Sequence, residues 1–178
     1  MKYLNKHFDA VIATPCCGKS YLCDKYPNRF IDVDEVRLKC KYFVPENISR
    51  AELESTKFER PFKLRANYDE YTKKTFERLD EYVKKGKTLI ASPHTEAFEY
   101  FVSRNIPFAF VYQKDDIKDE IIRRMKQRGN PQIMIDEIIK MFDLYCKMNK
   151  EENRSVIHYV FGKDEYLEDI MKKFGCEF

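Results

Sequence analysis

The chain has 178 residues, of which 43% are hydrophobic, 15% aromatic and 35% charged, with five glycines; this fits one globular domain with a real core. Lys+Arg at 33 nearly balances Asp+Glu at 30, and a net charge of +3 excludes an argument for nucleic acid from charge alone, while suiting anionic ligands. No secretory signal or long apolar run is present, so a cytoplasmic protein without membrane contact is expected, its six cysteines reduced.

The first predicted strand, Phe8 to Ala13, runs into the most informative stretch, Val11-Ile12-Ala13-Thr14-Pro15-Cys16-Cys17-Gly18-Lys19-Ser20. It reads as an apolar strand entering a phosphate-binding loop, with Gly18, Lys19 and Ser20 opening a helix that Pro27 stops. Such a loop cradles polyphosphate on successive backbone N–H groups and on the positive end of the helix dipole. Its lysine reaches the β/γ-phosphates and its serine hydroxyl coordinates Mg²⁺. On this reading Ala13, Pro15, Cys16, Cys17, Gly18, Lys19 and Ser20 bind ATP. Two departures matter: Ala13 stands where the first glycine is usual, and Cys16-Cys17 occupies a place where related loops often carry glycine. An ordinary strand-to-helix turn, or a degraded loop without catalysis, is the competing reading. Adjacent cysteines lack the two-residue spacing of zinc ligands, so Cys16, Cys17 and Cys23 are expected as unmetallated thiols.

Apolar strand candidates then alternate with helical patterns: Phe30 to Val33, Thr88 to Ser92, Phe108 to Tyr112 and Val156 to Val160. That alternation predicts an α/β domain built on a five-stranded, mainly parallel, doubly wound sheet, with ligands at the carboxyl ends of the strands. If the second strand stays extended through Asp34, Asp32 and Asp34 share a face toward the phosphates. One carboxylate then orients Mg²⁺ and the other takes an acceptor proton, with Arg37 holding an anionic acceptor. A solvated acidic strand end is the simpler alternative. Residues 38–66 mix seven basic and four acidic residues with Tyr42, Phe43, Phe58 and Phe62. They read as an acceptor-side insertion, with Arg60 or Arg65 as candidate acceptor contacts, or as a small solvated insertion whose aromatics face the core; Ser49 is placed to cap a short helix there.

A long helix is predicted from Asn67, its N-cap, with Glu70 completing a capping box and Gly86 the stop. After the third strand, Ser92 is placed to cap a helix beginning at Pro93, which leaves His94 and Thr95 as substrate contacts or as ordinary first-turn residues. Ile117 to Arg128 and a helix from Pro131 to about Lys147 form a helical hairpin within 115–147, with Arg123, Arg124 and Arg128 near its turn. It reads as a lid closing over ATP or as an exposed hairpin with charged outer faces. A last helix spans Asp164 to Phe174.

This order of parts resembles the P-loop kinases of the nucleoside monophosphate kinase, shikimate kinase and polynucleotide 5′-kinase group, in particular small members found in bacteriophages. The motifs that carry the resemblance are Ala13 to Ser20, Asp32-Val33-Asp34-Glu35-Val36-Arg37 and the arginines around Arg124 to Arg128. It implies a P-loop NTPase-type three-layer α/β/α sandwich with a helical lid, and ATP and Mg²⁺ as cofactors bound by Lys19 and Ser20, with Asp32 beside the metal. It also implies an acceptor contacted by Asp34 and Arg37, and lid arginines at Arg124 and Arg128. The acceptor expected is a nucleoside or deoxynucleoside monophosphate, or the 5′-hydroxyl of a polynucleotide. Leu89-Ile90-Ala91-Ser92 carries no carboxylate, so the third strand departs from the family pattern.

Overall fold

The computed structural model describes residues 9–45, 47–55, 62–65, 67–150, 157–173 and 175. Its centre is β1 (Ala10–Ala13), in which every side chain is buried. Because strand side chains alternate, Ala10 and Ile12 enter one hydrophobic cluster and Val11 and Ala13 enter another on the opposite face. A strand apolar on both faces belongs inside a parallel sheet covered on both sides by helices.

In chain order β1 is followed by α1 (Lys19–Lys25), β2 (Phe30–Asp32), α2 (Val33–Lys41), α3 (Arg50–Ser55), α4 (Tyr68–Lys84) and β3 (Thr88–Ala91). Then come α5 (Thr95–Ser103), β4 (Phe108–Gln113), a 3-10 turn (Asp115–Ile117), α6 (Lys118–Gln127), α7 (Gln132–Lys150), β5 (Ile157–Phe161) and α8 (Leu167–Lys173). The five strands pair in the order β2-β3-β1-β4-β5, all parallel, with Ala10 opposite Leu89 on one side and Phe108 on the other. Leu22 and Cys23 of α1, Ile121 and Met125 of α6, Ile135 and Phe142 of α7 and Leu167 and Ile170 of α8 cover one face. Val33 and Val36 of α2, Leu79 of α4 and Ala97, Tyr100 and Phe101 of α5 cover the other. Fully burying one such large side chain stabilises by roughly 1.5–3 kcal/mol, which is why these helices dock as they do. The result is a three-layer α/β/α sandwich around a five-stranded parallel sheet.

Every strand expected from the sequence is present, each within a residue or two of its expected limits; Phe8 lies outside the described residues. Three local expectations are corrected. The second strand stops at Asp32 because its Oδ1 accepts the N–H groups of Asp34 (3.0 Å) and Glu35 (3.3 Å), capping a helix there. Asp32 and Asp34 therefore do not share a strand face. Ser92 does not cap α5: the cap is His94, whose Nδ1 accepts the Ala97 N–H at 3.2 Å, and Ser92 Oγ instead donates to Asp34. Asn67 caps α4 through Asp69 N at 3.0 Å, but Glu70 pairs with Lys74 at 2.8 Å rather than closing a capping box.

Residues 38–66 contain more helix than their composition suggests. Ser49 and Glu52 form the reciprocal cap of α3: Ser49 N and Oγ donate to Glu52 Oε2 (3.0 and 2.6 Å), and Glu52 N donates back to Ser49 Oγ (3.3 Å). Leu53 packs with Leu38 and Tyr42 in a small separate cluster that Phe62 also joins. Phe43 is exposed, with the Arg65 guanidinium over its ring at 4.2 Å. Arg60 and Phe58 lie outside the described residues.

Candidate functional site

All strands being parallel, their carboxyl ends share one edge, and each sends a loop there. The loop after β1 begins with Thr14, whose N–H donates to Val111 O (3.0 Å) and whose hydroxyl donates to Gln113 Oε1, fixing it to β4. Cys16 has φ 64° and Gly18 has φ 95°, both left-handed. Glycine takes this conformation freely; Cys16 is held in it by the loop's surroundings. A Cβ at Gly18 would meet the Tyr166 ring at an ordinary contact distance of 3.4 Å, so it is the left-handed φ rather than lack of space that favours glycine there. Leu167 N donates to Cys17 O at 2.7 Å, closing the back of the loop.

Lys19 folds back, its Nζ 2.8 Å from Ala13 O and 3.1 Å from Thr14 O. Its ammonium thus lies over the loop on carbonyl oxygens that a stronger anion would outcompete. Ser20 lines two cavities. One, of 630 Å³, is walled also by Cys16, Tyr21, Arg128 and Tyr166; the other, only 30 Å³, lies between α1, α2 and α3 and includes Asp34, Glu35 and Arg50. Burial raises the Cys16 thiol pKa above its ordinary value against the pull of Arg128, Lys19 and Arg124, and burial likewise raises that of Cys17. Both stay protonated near neutral pH.

On the other side of Ser20, Asp34 sits in the first turn of α2. Its Oδ1 is 2.9 Å from His94 Nε2, and its Oδ2 accepts the Ser92 hydroxyl. Burial by itself would raise its pKa. The hydrogen bond and charge of His94, the charge of Lys19 and the Ser92 hydroxyl overcome that and hold the carboxyl far below the usual carboxylate range. His94 Nδ1 lies 3.1 Å from Glu96 Oε2, and Glu96 Oε1 lies 3.6 Å from Arg37 Nη1. Arg37 Nε is buried without a hydrogen-bond partner. Asp34 and Arg37, one turn apart on α2, are thereby joined through Glu96 and His94 of α5.

Two expected site residues have structural work instead. Asp32, 7% exposed, commits one oxygen to the α2 amides and the other to Arg50, which also holds Asp24 (2.8 Å) and Glu35 (2.9 Å). It is a helix cap and ion-pair partner rather than a metal-side carboxylate. Arg124, expected on a lid, is 6% exposed; it binds Glu120 Oε1 (2.8 Å), Cys16 O (3.1 Å) and Lys163 O, and stacks on Tyr166 at 4.3 Å. That makes it a clamp between the loop after β1 and the turn after β5. Arg123 forks onto Glu120 with two 2.7 Å bonds. Arg128 is the exposed arginine on the large cavity's wall. The α6–α7 hairpin is also less detached than a lid, since Ile121, Met125, Ile135 and Phe142 belong to the main core.

Arg50, Glu96, Ser92 and Tyr166 were not singled out from the sequence as site residues. For Asp32 a local signal existed, since Asp followed three residues later by Glu35 is a helix-start pattern. For the others none did, because their partners lie in distant elements.

Among the described residues, no group of three or more His, Cys, Asp or Glu side chains is placed to hold a metal ion. Ser20 Oγ makes no hydrogen bond among the described residues. This fits magnesium carried by phosphates with one protein hydroxyl, and does not fit a protein-built metal cage.

No protein-family model matches the sequence, and no curated protein matches it. The chain is similar in structure to a gluconokinase from Sinorhizobium meliloti 1021, at 12% identity over 98% of this chain and 91% of that one, with a TM-score of 0.47. It is similar also to an uncharacterized protein from Eubacterium ventriosum ATCC 27560, at 16% identity over 92% of each chain, with a TM-score of 0.44. A dephospho-CoA kinase from Campylobacter jejuni is similar at 15% identity over 95% of this chain and 94% of that one, with a TM-score of 0.43. Among the described residues no helix is long and apolar enough to cross a membrane.

Proposed function

We propose that the protein is an ATP- and magnesium-dependent phosphotransferase acting on a small acceptor, a nucleoside or deoxynucleoside monophosphate. The observation that carries this reading is the position of Ser20, which lines both the large cavity beside Cys16, Tyr21, Arg128 and Tyr166 and the small recess that includes Asp34. A donor nucleotide in the large cavity presents its terminal phosphate past Ser20 to an acceptor on the Asp34 side, the order of parts that phosphoryl transfer needs.

In this reading Lys19 exchanges its two carbonyl contacts for the β/γ-phosphates, and the loop amides hold their oxygens. Ser20, together with the phosphates, would hold magnesium, which would supply charge neutralisation at the transferring group. Asp34, kept ionised, is too weak a base to store a proton near neutral pH. It orients the acceptor by accepting its hydrogen bond, which is sufficient where the transition state is loose and proton loss is late. Arg37, with an unpartnered Nε and only a loose contact to Glu96, pairs with the acceptor's anion. Arg128 approaches the donor phosphates from the cavity wall.

Transfer from ATP is measured against nucleosides, nucleoside monophosphates, shikimate-like alcohols and 5′-hydroxyl oligonucleotides under reducing conditions, beside Lys19→Ala. Acceptor-dependent turnover that falls by about 100-fold or more in the variant is expected. ATP binding without transfer to any acceptor would leave a nucleotide-binding module with a degraded loop. One observation favours a polynucleotide acceptor as the second reading: exposed Phe43 under Arg65 is a surface on which a base can stack. Salt-sensitive oligonucleotide binding distinguishes it.

A further inference from the structure

We infer that His94 and Glu96 are positioning residues for the acceptor site: His94 Nε2–H fixes the Asp34 carboxylate in one orientation, and Glu96 holds the imidazole and Arg37 in register with it. The inference rests on the phosphoryl-transfer reading above and names the parts of that site that choose the acceptor's geometry.

The hydrogen-bond pattern leaves His94 one way to meet Asp34. In the neutral ring, Nδ1 accepts the Ala97 N–H at 3.2 Å, so the proton is on Nε2, 2.9 Å from Asp34 Oδ1. In the imidazolium, Nδ1–H donates to Glu96 Oε2 at 3.1 Å and Nε2–H still faces Asp34. The remaining form, neutral with the proton on Nδ1, would set the Nε2 lone pair against Asp34 and also deprive the Ala97 N–H of its acceptor, whereas the Nε2–H form sets Nδ1 against Glu96 but keeps that N–H bond. Both allowed forms therefore give Asp34 the same donor.

The charged groups around the ring are Asp34 and Arg37 from α2, Glu96 from its own helix, and Lys19 from α1 acting on Asp34. Tyr68 and Tyr71 of α4 face Glu96. Burial would lower the His94 pKa, but the bonds to Asp34 and Glu96 raise it overall. With Ser92 donating to Oδ2 and His94 to Oδ1, rotation of the carboxylate would break both bonds. Each oxygen keeps a further lone pair in a fixed direction, so an acceptor hydroxyl or acceptor-bound water meets Asp34 along one line. His94 thus does for Asp34 what no neighbour on α2 can do, from a strand connection 60 residues away.

Two substitutions separate this role from helix capping. His94→Asn keeps a short acceptor for Ala97 N but cannot reach Asp34; His94→Gln keeps a donor near the Nε2 position but is a poorer cap. The expected result is that Asn lowers kcat about 10- to 100-fold while KM for ATP stays within about twofold, and that Gln recovers most of kcat. Urea stability is expected in the reverse order, with Asn near wild type and Gln below it. In parallel, ¹⁵N NMR of the wild-type imidazoles is expected to show His94 protonated on Nε2 both below and above its pKa. Wild-type kcat in the Asn variant, an equal loss in Asn and Gln, or a His94 ring protonated on Nδ1 alone would overturn the inference while leaving the kinase reading intact. If wild type transfers phosphoryl to no acceptor, that reading falls and the catalytic half of the inference falls with it. The NMR result then decides the hydrogen bond by itself.

Discussion

At the scale of single residues, the Asp34–His94–Glu96–Arg37 group is held by hydrogen bonds and charges that shift one another's titration. Glu96 shows this best: the hydrogen bond from His94, opposed by burial and helped by Arg37, holds its pKa down at about 2, against an ordinary 4.5. A carboxyl depressed on folding stabilises the native state above its unfolded pKa. That contribution is lost as pH falls from about 4.5 to about 2. Glu96→Gln is therefore expected to be less stable than wild type by about 1–2 kcal/mol at neutral pH. The gap between the two should close as urea midpoints are followed down through that window; a constant gap would show that Glu96 carries no native-state bond. His94 acts in the opposite sense. Its raised pKa adds stability below about 6.5, lost as pH rises through the folded value. Little of this pairing was legible in the chain itself. The Asp34–His94 contact joins residues 60 apart and Arg50–Asp32 joins residues 18 apart, and no periodicity or spacing encodes which distant carboxylate a given ring or guanidinium will meet.

Among the elements, local patterns were enough where local physics decides. The five apolar runs became the five strands, and Gly18, Lys19 and Ser20 open α1 as their phosphate-loop spacing requires. The pattern misled where a side chain chose between two local partners, as when Asp32 ended its strand by capping α2 and Ser92 gave up a cap for a carboxylate. It was silent on whether the arginines of α6 reach outward or inward. Arg124 turns inward because it lies one turn after Glu120 and its guanidinium meets the main-chain carbonyls of Cys16 and Lys163. Hydrogen bonds from Arg123 and Arg124 hold the Glu120 pKa down at about 2. Removing Arg124 leaves two main-chain carbonyls without its guanidinium and leaves Glu120 held by Arg123 alone. Arg124→Ala is expected to lose about 3 kcal/mol in urea unfolding, whereas exposed Arg128→Ala changes stability by no more than about 0.5 kcal/mol while weakening ATP turnover. Equal stability losses in the two variants would overturn the division of labour between clamp and cavity wall.

Over the whole molecule, the central strands are fully enclosed while the edge strands each pair on one side: β1 lies between β3 and β4, and β2 and β5 close the sheet. Hydrogen exchange is accordingly expected to be slowest at the amides of β1, β3 and β4, and faster in β2 and β5; uniform protection across the sheet would contradict this ordering. The same map should show the phosphate loop slower than its exposure suggests, because Leu167 N and Arg124 hold its carbonyls from behind. That last feature bears on how the protein is made. Ribosomes deliver the loop early and Leu167 about 150 residues later, which at about 5–20 residues per second is roughly 10–30 seconds of synthesis. During that interval a nascent chain can already form β1 and α1, yet it lacks the strut that shapes the cradle behind Cys17. The loop therefore takes its final shape only once Leu167 has emerged, and a fragment released before that would carry the motif without its strut.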